Sequence, residues 1–360
     1  MKPATQQRVL IVRLGSMGDV LHALPAVATL HESFPDWEMD WLVERRWRPL
    51  LVGNPCIARV VEADTASWRR NLLSLDAWNG FRKLVQELRD RSYDCAIDFQ
   101  GLLKSAAACA LSGARAVLGF DQPWLKEPAA AIFYTHRVAV AAVHVVDANL
   151  ELARVLGAAR KVMRFPLPEG DPSALPASLP EGDIAVLNPG AGWGSKRWSA
   201  ERTGWLADLL EDEFGLPVVL NSGPGEEALA EEVRAACRRA RPLIYSGDIP
   251  GLIALLRRAR LMVGPDTGPL HLASALGVPV VGLFGPTDPA RNGPCGAASV
   301  CLRAPGAVTS YRHSAGPAAE MDRIRPEEVA EAVRRLLGDR STPAADSTEA
   351  VPSVPSGAIN

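Results

Sequence analysis

The chain has 360 residues, 48% hydrophobic and 22% charged, with a formal net charge of −2. This length exceeds one ordinary core and predicts two globular domains. The composition excludes a disordered or fibrous chain, and the charge excludes a general nucleic-acid binder, which needs a basic surplus.

In chain order, residues 9–14 read as a buried strand, 15–19 (GSMGD) as the turn after it, and 20–34 as an apolar helix. Strands are expected at 38–43, 57–61 and 93–99, and helices at 78–91, 102–111 and 143–156. Residues 164–183 hold five prolines and little periodicity, which marks a linker. Beyond it the alternation is cleaner. Strands are expected at 184–188, 217–220, 242–245, 261–263 and 278–284. The helices between them fall at 200–214, 226–240, 249–258 and 269–276, with a final one at 325–337. Residues 338–360 are rich in Pro, Ser and Ala and read as a disordered tail. Strands alternating with helices imply parallel sheets. The expected fold is therefore α/β, of the GT-B type, with two doubly wound Rossmann-like domains facing across a cleft. The first domain spans 1–163 and the second 184–324, followed by the final helix.

Ligands in such sheets bind at the carboxyl ends of the strands, and two strand–turn–helix segments supply those ends. The stronger is 263–289, VGPDTGPLHLASALGVPVVGLFGPTDP. A helix opening just past a strand offers free N–H groups and positive dipole to an anion. Asp266, Thr267, Gly268 and His271 surround that point, although turn and cap roles alone account for Asp266 and Gly268. In the first half, Asp19 is either a helix N-cap or a general base aimed into the cleft. Lys196, in the glycine-rich loop PGAGWGSKRW, is either solvated or a point charge for a diphosphate. Glu226 and Glu227 open a helix, where the dipole favours acids regardless of function, or they accept from ribose hydroxyls. Arg45, Arg46, Arg48, Arg69 and Arg70, beside Trp47 and Trp68, form either a solvated run or a site for an anionic acceptor. No D-x-D triplet is present to hold a divalent metal. The six cysteines show no C-x-x-C pair and no zinc spacing, and are expected to be reduced core thiols. No window offers an uninterrupted membrane span, and MKPATQQR lacks the apolar core of a signal peptide.

RLGSMGDVLHALPAV, DFQGLLKSA and the 263–289 segment, in this order, resemble the ADP-heptose:lipopolysaccharide heptosyltransferases, glycosyltransferase family 9. The likeness is greatest to the branch that adds the first heptose to the Kdo of lipid A, and it covers roughly residues 8–337. It implies a cytoplasmic enzyme, peripheral on the inner face of the inner membrane. Its reaction would be a metal-independent inverting transfer from an ADP-heptose donor to a Kdo-lipid A acceptor, with no cofactor. It also implies roles. Asp19 is the base and Lys196 stabilises the leaving diphosphate. Ala191, Gly192, Glu227, Gly247, Asp266, Thr267, Gly268 and His271 bind the nucleotide sugar. Ser16, Met17, Gly18, Arg69, Arg70, Gln100 and Lys126 bind the acceptor. Ala191-Gly192 stands where the family commonly has a Thr pair, and Gly247 where it has a larger residue. A related transferase with another donor or acceptor, and a GT-B-fold sugar-nucleotide epimerase, are the alternatives.

Overall fold

The structure is a computed structural model and describes residues 7–70, 74–310 and 320–338. The first half runs β1 (Arg8–Val12), α1 (Met17–Ser33), β2 (Glu38–Glu44), β3 (Arg59–Ala63), α2 (Thr65–Arg70), α3 (Leu75–Asp90), β4 (Cys95–Asp98), α4 (Leu103–Leu111), β5 (Ala116–Phe120), β6 (His136–Val138) and α5 (Val145–Val155). The second runs β7 (Ile184–Leu187), α6 (Ala200–Phe214), β8 (Val218–Asn221), α7 (Glu227–Ala236), β9 (Leu243–Tyr245), α8 (Ile249–Arg257), β10 (Ala259–Pro265), α9 (Gly268–Ala275), β11 (Val280–Phe284), α10 (Pro289–Asn292), β12 (Ser299–Arg303) and α11 (Pro326–Leu337).

Each half holds one parallel sheet, ordered β3-β2-β1-β4-β5-β6 and β12-β11-β10-β7-β8-β9. Counted within its own half, each sheet has the order of the doubly wound fold. The expected α/β class is therefore present twice. Helices cover both faces, so the central strands are apolar throughout: Val9 to Val12 and Ile184 to Leu187 are all buried. The order reverses between β1 and β4, and again between β7 and β10. At those points neighbouring crossovers leave on opposite faces and a crevice opens above the strand ends.

The halves meet where α1 and α9 begin. A Cβ on Gly18 would stand 2.8 Å from the His271 ring, and one on Gly268 would stand 2.6 Å from the Met17 sulfur. Glycine at both positions lets the two helix N-termini approach. The segment 164–183 carries a short 3₁₀ turn at Pro172–Ala174. Asn54 of the first half donates to the Pro166 carbonyl, and Arg257 and Arg258 of the second donate to the Pro168 and Pro180 carbonyls. Helix α11 buries Val329, Ala330 and Val333 in the core of the second half.

Several expectations need correction. Helix α1 starts at Met17, not Val20, so Gly18 and Asp19 lie in its first turn. Residues 65–70 form α2, where no element was expected. Strands β5, β6 and β12 were not expected; β6 has only three residues, with His136 and Arg137 exposed, and β12 is an edge strand whose first residue, Ser299, is exposed. The tail from 339 onward lies outside the described residues. No helix among the described residues is long and apolar enough to cross a membrane.

Candidate active site

Strand β1 ends on a cation. Arg13 is buried, and its guanidinium donates to the Phe99 carbonyl and lies 2.5 Å from Oδ1 of Asp19. Oδ2 of Asp19 accepts from the Ser16 N–H at 2.8 Å and the Ser16 hydroxyl at 3.0 Å. Ser16 is the N-cap of α1 and Asp19 the third helical residue, so the pair forms a capping box. Asp19 is thus not the N-cap. A carboxylate has about four lone-pair sites, and these contacts leave one on Oδ1 free. The side chain is 39% exposed to the cleft. Desolvation in the cleft works to raise the carboxyl pKa, but Arg13, the Ser16 N–H and the more distant cations hold it at about 2.

The neighbouring switch-point wall comes from β4. Asp98 is fully buried and accepts from Tyr134 Oη, Ser105 Oγ and the N–H groups of Gln100 and Gly101. Burial pushes its pKa up against these bonds. The cluster fixes the turn that carries Gln100, whose Oε1 accepts from the Leu14 N–H at 2.8 Å. Gly101 has a φ of +71° and faces the Leu125 side chain, so this turn requires glycine.

On the second half, Asp266 follows β10 and is the hub. Its Oδ1 lies 2.9 Å from Nε2 of His271, and its Oδ2 lies 2.7 Å from Nζ of Lys196, which also donates to the Asp266 carbonyl at 3.0 Å. Burial would raise this carboxyl, but the His271 hydrogen bond and the Lys196 ammonium hold it far below the usual range. Lys196 is not a solvated loop residue. It ends a 3₁₀ turn over the Trp193 ring, with its side chain 12% exposed. An ammonium has three donors, so one remains for a ligand. Thr267 is the N-cap of α9, but its hydroxyl donates back to the Pro265 carbonyl and leaves the helix N–H groups uncapped.

These two walls enclose a cavity of about 300 Å³. It brings together Ser16, Gly18, Asp19, Gln100 and Lys126 of the first half with Lys196, Asp266, Thr267, Gly268 and His271 of the second. Met17 is instead buried against Gly268. Ala191, Gly192 and Gly247 sit on the loops after β7 and β9, and Glu227 opens α7 after β8, all outside the cavity lining. A Cβ on Gly192 would meet nothing within 4 Å, so crowding does not explain the missing side chain there; one on Gly247 would run into Tyr245 Oη. Glu227 is exposed and accepts from the Gly225 N–H. Glu226 bonds the Gly223 N–H and fills the space beside Gly190. Arg45 and Arg48 are ion-paired with Glu62 and Asp64. Arg69 and Arg70 end α2, and their side chains lie outside the described residues.

Arg13, His22, Trp124, Thr287 and Arg291 also line the cavity and were not anticipated. A lone cation ending the apolar run VLIVRL was a usable signal for Arg13. Arg291 of the second half stacks on Trp124 of the first at 4.5 Å, a pairing no local pattern reveals. The Thr287 hydroxyl is buried without a hydrogen-bond partner among the described residues. His22 is buried edge-on to His271 at 4.6 Å, and burial together with His271 holds its pKa well below the usual value. All six cysteines are free. Among the described residues, no cluster of three or more His, Cys, Asp or Glu side chains is arranged to hold a metal.

Two doubly wound halves closing on a carboxylate from one side and a cation from the other define a GT-B glycosyltransferase. Residues 81–315 match glycosyltransferase family 9 (heptosyltransferase). Lipopolysaccharide heptosyltransferase 1 of Pseudomonas aeruginosa is 33% identical over 302 residues, 82% of this chain and 83% of that protein. The solved structure of E. coli heptosyltransferase WaaC with ADP matches with a TM-score of 0.76 and 29% identity, covering 91% of this chain and 99% of WaaC. WaaC with ADP-2-deoxy-2-fluoro heptose matches at 0.74 and 28% over the same shares. The chain belongs to glycosyltransferase family 9 and is a glycosyltransferase.

Proposed function

We propose that the protein transfers heptose from ADP-heptose to the Kdo of Kdo-lipid A in lipopolysaccharide inner-core synthesis, with inversion and without a metal, at the cytoplasmic face of the inner membrane. The donor is supported by the likeness to a heptosyltransferase solved with an ADP-heptose analogue. The observation that carries the mechanism is the placement of Asp19 and Lys196 on opposite halves of one cavity.

In this reading the acceptor hydroxyl oxygen attacks the anomeric carbon as the bond from that carbon to the diphosphate oxygen breaks. The free lone pair on Asp19 Oδ1 takes the hydroxyl proton. The electron pair of the broken bond goes to the diphosphate oxygen, where the third Lys196 N–H and the uncapped N–H groups of α9 meet the new charge. A base and a leaving-group cation on opposite walls suit a single in-line displacement, which inverts the centre. Ala191, Gly192, Glu227 and Gly247 serve the nucleotide in this scheme: β7, β8 and β9 are adjacent in the sheet, so their loops form one edge. Ser16, Gly18, Gln100, Lys126, Arg69 and Arg70 serve the acceptor.

Purified protein incubated with ADP-heptose and Kdo-lipid A, with and without EDTA, tests this reading. The expected product carries one added heptose of inverted anomeric configuration, formed equally under chelation. No transfer, retention of configuration, or activity lost to EDTA and restored by magnesium contradicts it.

A further inference from the structure

The first half contains another cavity, larger than the catalytic one at about 730 Å³, within the range of roughly 300–1,000 Å³ usual for ligand cavities. It runs between α3 and α4 and reaches Leu14 and Leu42 at the strand ends. Its walls are mostly hydrocarbon, from Trp68, Phe81, Leu84, Ala107 and Leu111 among others, and among the described residues the charged groups on them are Lys104 and Glu127.

Helix α3 leaves this space open. Its apolar residues recur at 78, 81, 84, 85 and 88, the spacing of one helical face. Only Leu84 and Leu88 are fully buried, while Trp78, Phe81 and Val85 line the cavity. Protein interiors hold few voids larger than a water molecule, and these mostly apolar walls offer water few of the polar partners it needs. The mouth is apolar as well. Trp78 is 59% exposed, Leu103 41%, and Leu75, one turn before Trp78, 81%. Large apolar side chains gathered at the rim of an apolar groove mark a binding surface.

Two features select the occupant. Leu102 lines both this groove and the catalytic cavity, so one ligand can place a sugar beside Asp19 and hydrocarbon between the helices. From Ala77 to Leu88 the groove follows α3 for about 16 Å, a shape for an extended chain and not for a ring. We infer that the groove holds one fatty acyl chain of the lipid-linked acceptor, which passes Leu102 from the sugar at Asp19. This rests on the lipid-linked acceptor proposed above.

Ala107 is half-buried on the groove wall, so Ala107→Phe fills the groove from an existing helix; Ala108→Leu is a milder second variant. Two readouts apply to the full chain. The first is quenching of tryptophan fluorescence by a brominated dodecanoyl glycoside below its micellar concentration. The wild type should be quenched saturably and both variants much less. The second is KM for acylated Kdo-lipid A against its fully deacylated form. Ala107→Phe should raise the first by about tenfold or more and leave the second, and the KM for ADP-heptose, unchanged. Absence of quenching, or equal effects on both acceptors, overturns the inference. So does quenching by brominated phospholipid vesicles alone, since the groove would then hold bilayer lipid. If the wild type transfers to neither acceptor, the functional reading fails, and the groove stands or falls on the quenching.

Discussion

Arg13 and Asp19 form an ion pair at 2.5 Å in which the cation is buried and the carboxylate is open to the cleft. The pair orients Asp19 at the expense of its basicity. Desolvation raises the carboxyl, Arg13 outweighs it, and the result is a pKa of about 2. Asp19 is therefore ionised throughout the working range, and the acid limb of kcat/KM in the wild type does not report it. Arg13→Gln removes the largest lowering influence and leaves the desolvation. The Asp19 carboxyl should then rise toward or above the ordinary Asp value near 3.9, and an acid limb that reports it should enter the profile of the variant. Identical pH profiles for the two proteins would show that Arg13 does not tune Asp19.

Lys196 has two of its three donors on Asp266. Lys196→Ala should weaken ADP binding and lower kcat together, because the third donor meets the diphosphate before and during departure. Isothermal titration with ADP and steady-state kinetics check this. Unchanged ADP affinity with reduced kcat would confine Lys196 to the transition state, and no change in either would remove it from the site.

Gly18 lies in a helix, where alanine is ordinarily preferred by about 0.5–1 kcal/mol. Its neighbour decides the sign instead. A Cβ would stand 2.8 Å from a His271 ring that Asp266 holds in place, and overpacking of this kind costs about 1–3 kcal/mol. Gly18→Ala should lower Tm and activity together. A variant with raised Tm would show that the halves separate freely at this contact.

His22 faces His271, His144, Asp19 and Arg13, and burial, then His271, lowers its pKa well below the usual value; burial lowers that of His144 as well. The unfolded chain takes up protons near pH 6.5 that the folded protein refuses. Stability is therefore full above that pH and falls as acid is added. Tm should drop between pH 7.5 and 5.5, and His22→Gln should drop less. Parallel slopes would assign the effect to other groups.

Much of this was legible from the chain itself. Hydrophobic runs such as VLIV and IAVL marked the central strands, because a strand covered on both faces has no polar side. GSMGD and GPDTG marked the strand ends where ligands bind. The edge strand β6 escaped because it is short and presents His136 and Arg137 to solvent, so it lacks that signature. The start of α1 was misplaced because GSMGD reads as a turn, whereas the Ser16–Asp19 capping box draws Gly18 into the helix. Arg291 on Trp124 and Thr287 in the cavity depend on how the halves meet, which no local pattern records.

The central claim is that Asp19 accepts the acceptor proton, and single-turnover transfer from ADP-heptose to Kdo-lipid A by Asp19→Asn tests it most directly. Asparagine keeps the size of the side chain and an oxygen for the Ser16 bonds, but it cannot take the proton. The account predicts a chemical step slower by ~10²–10⁴ with ADP affinity little changed. A variant that retains a tenth or more of the wild-type single-turnover rate would contradict it.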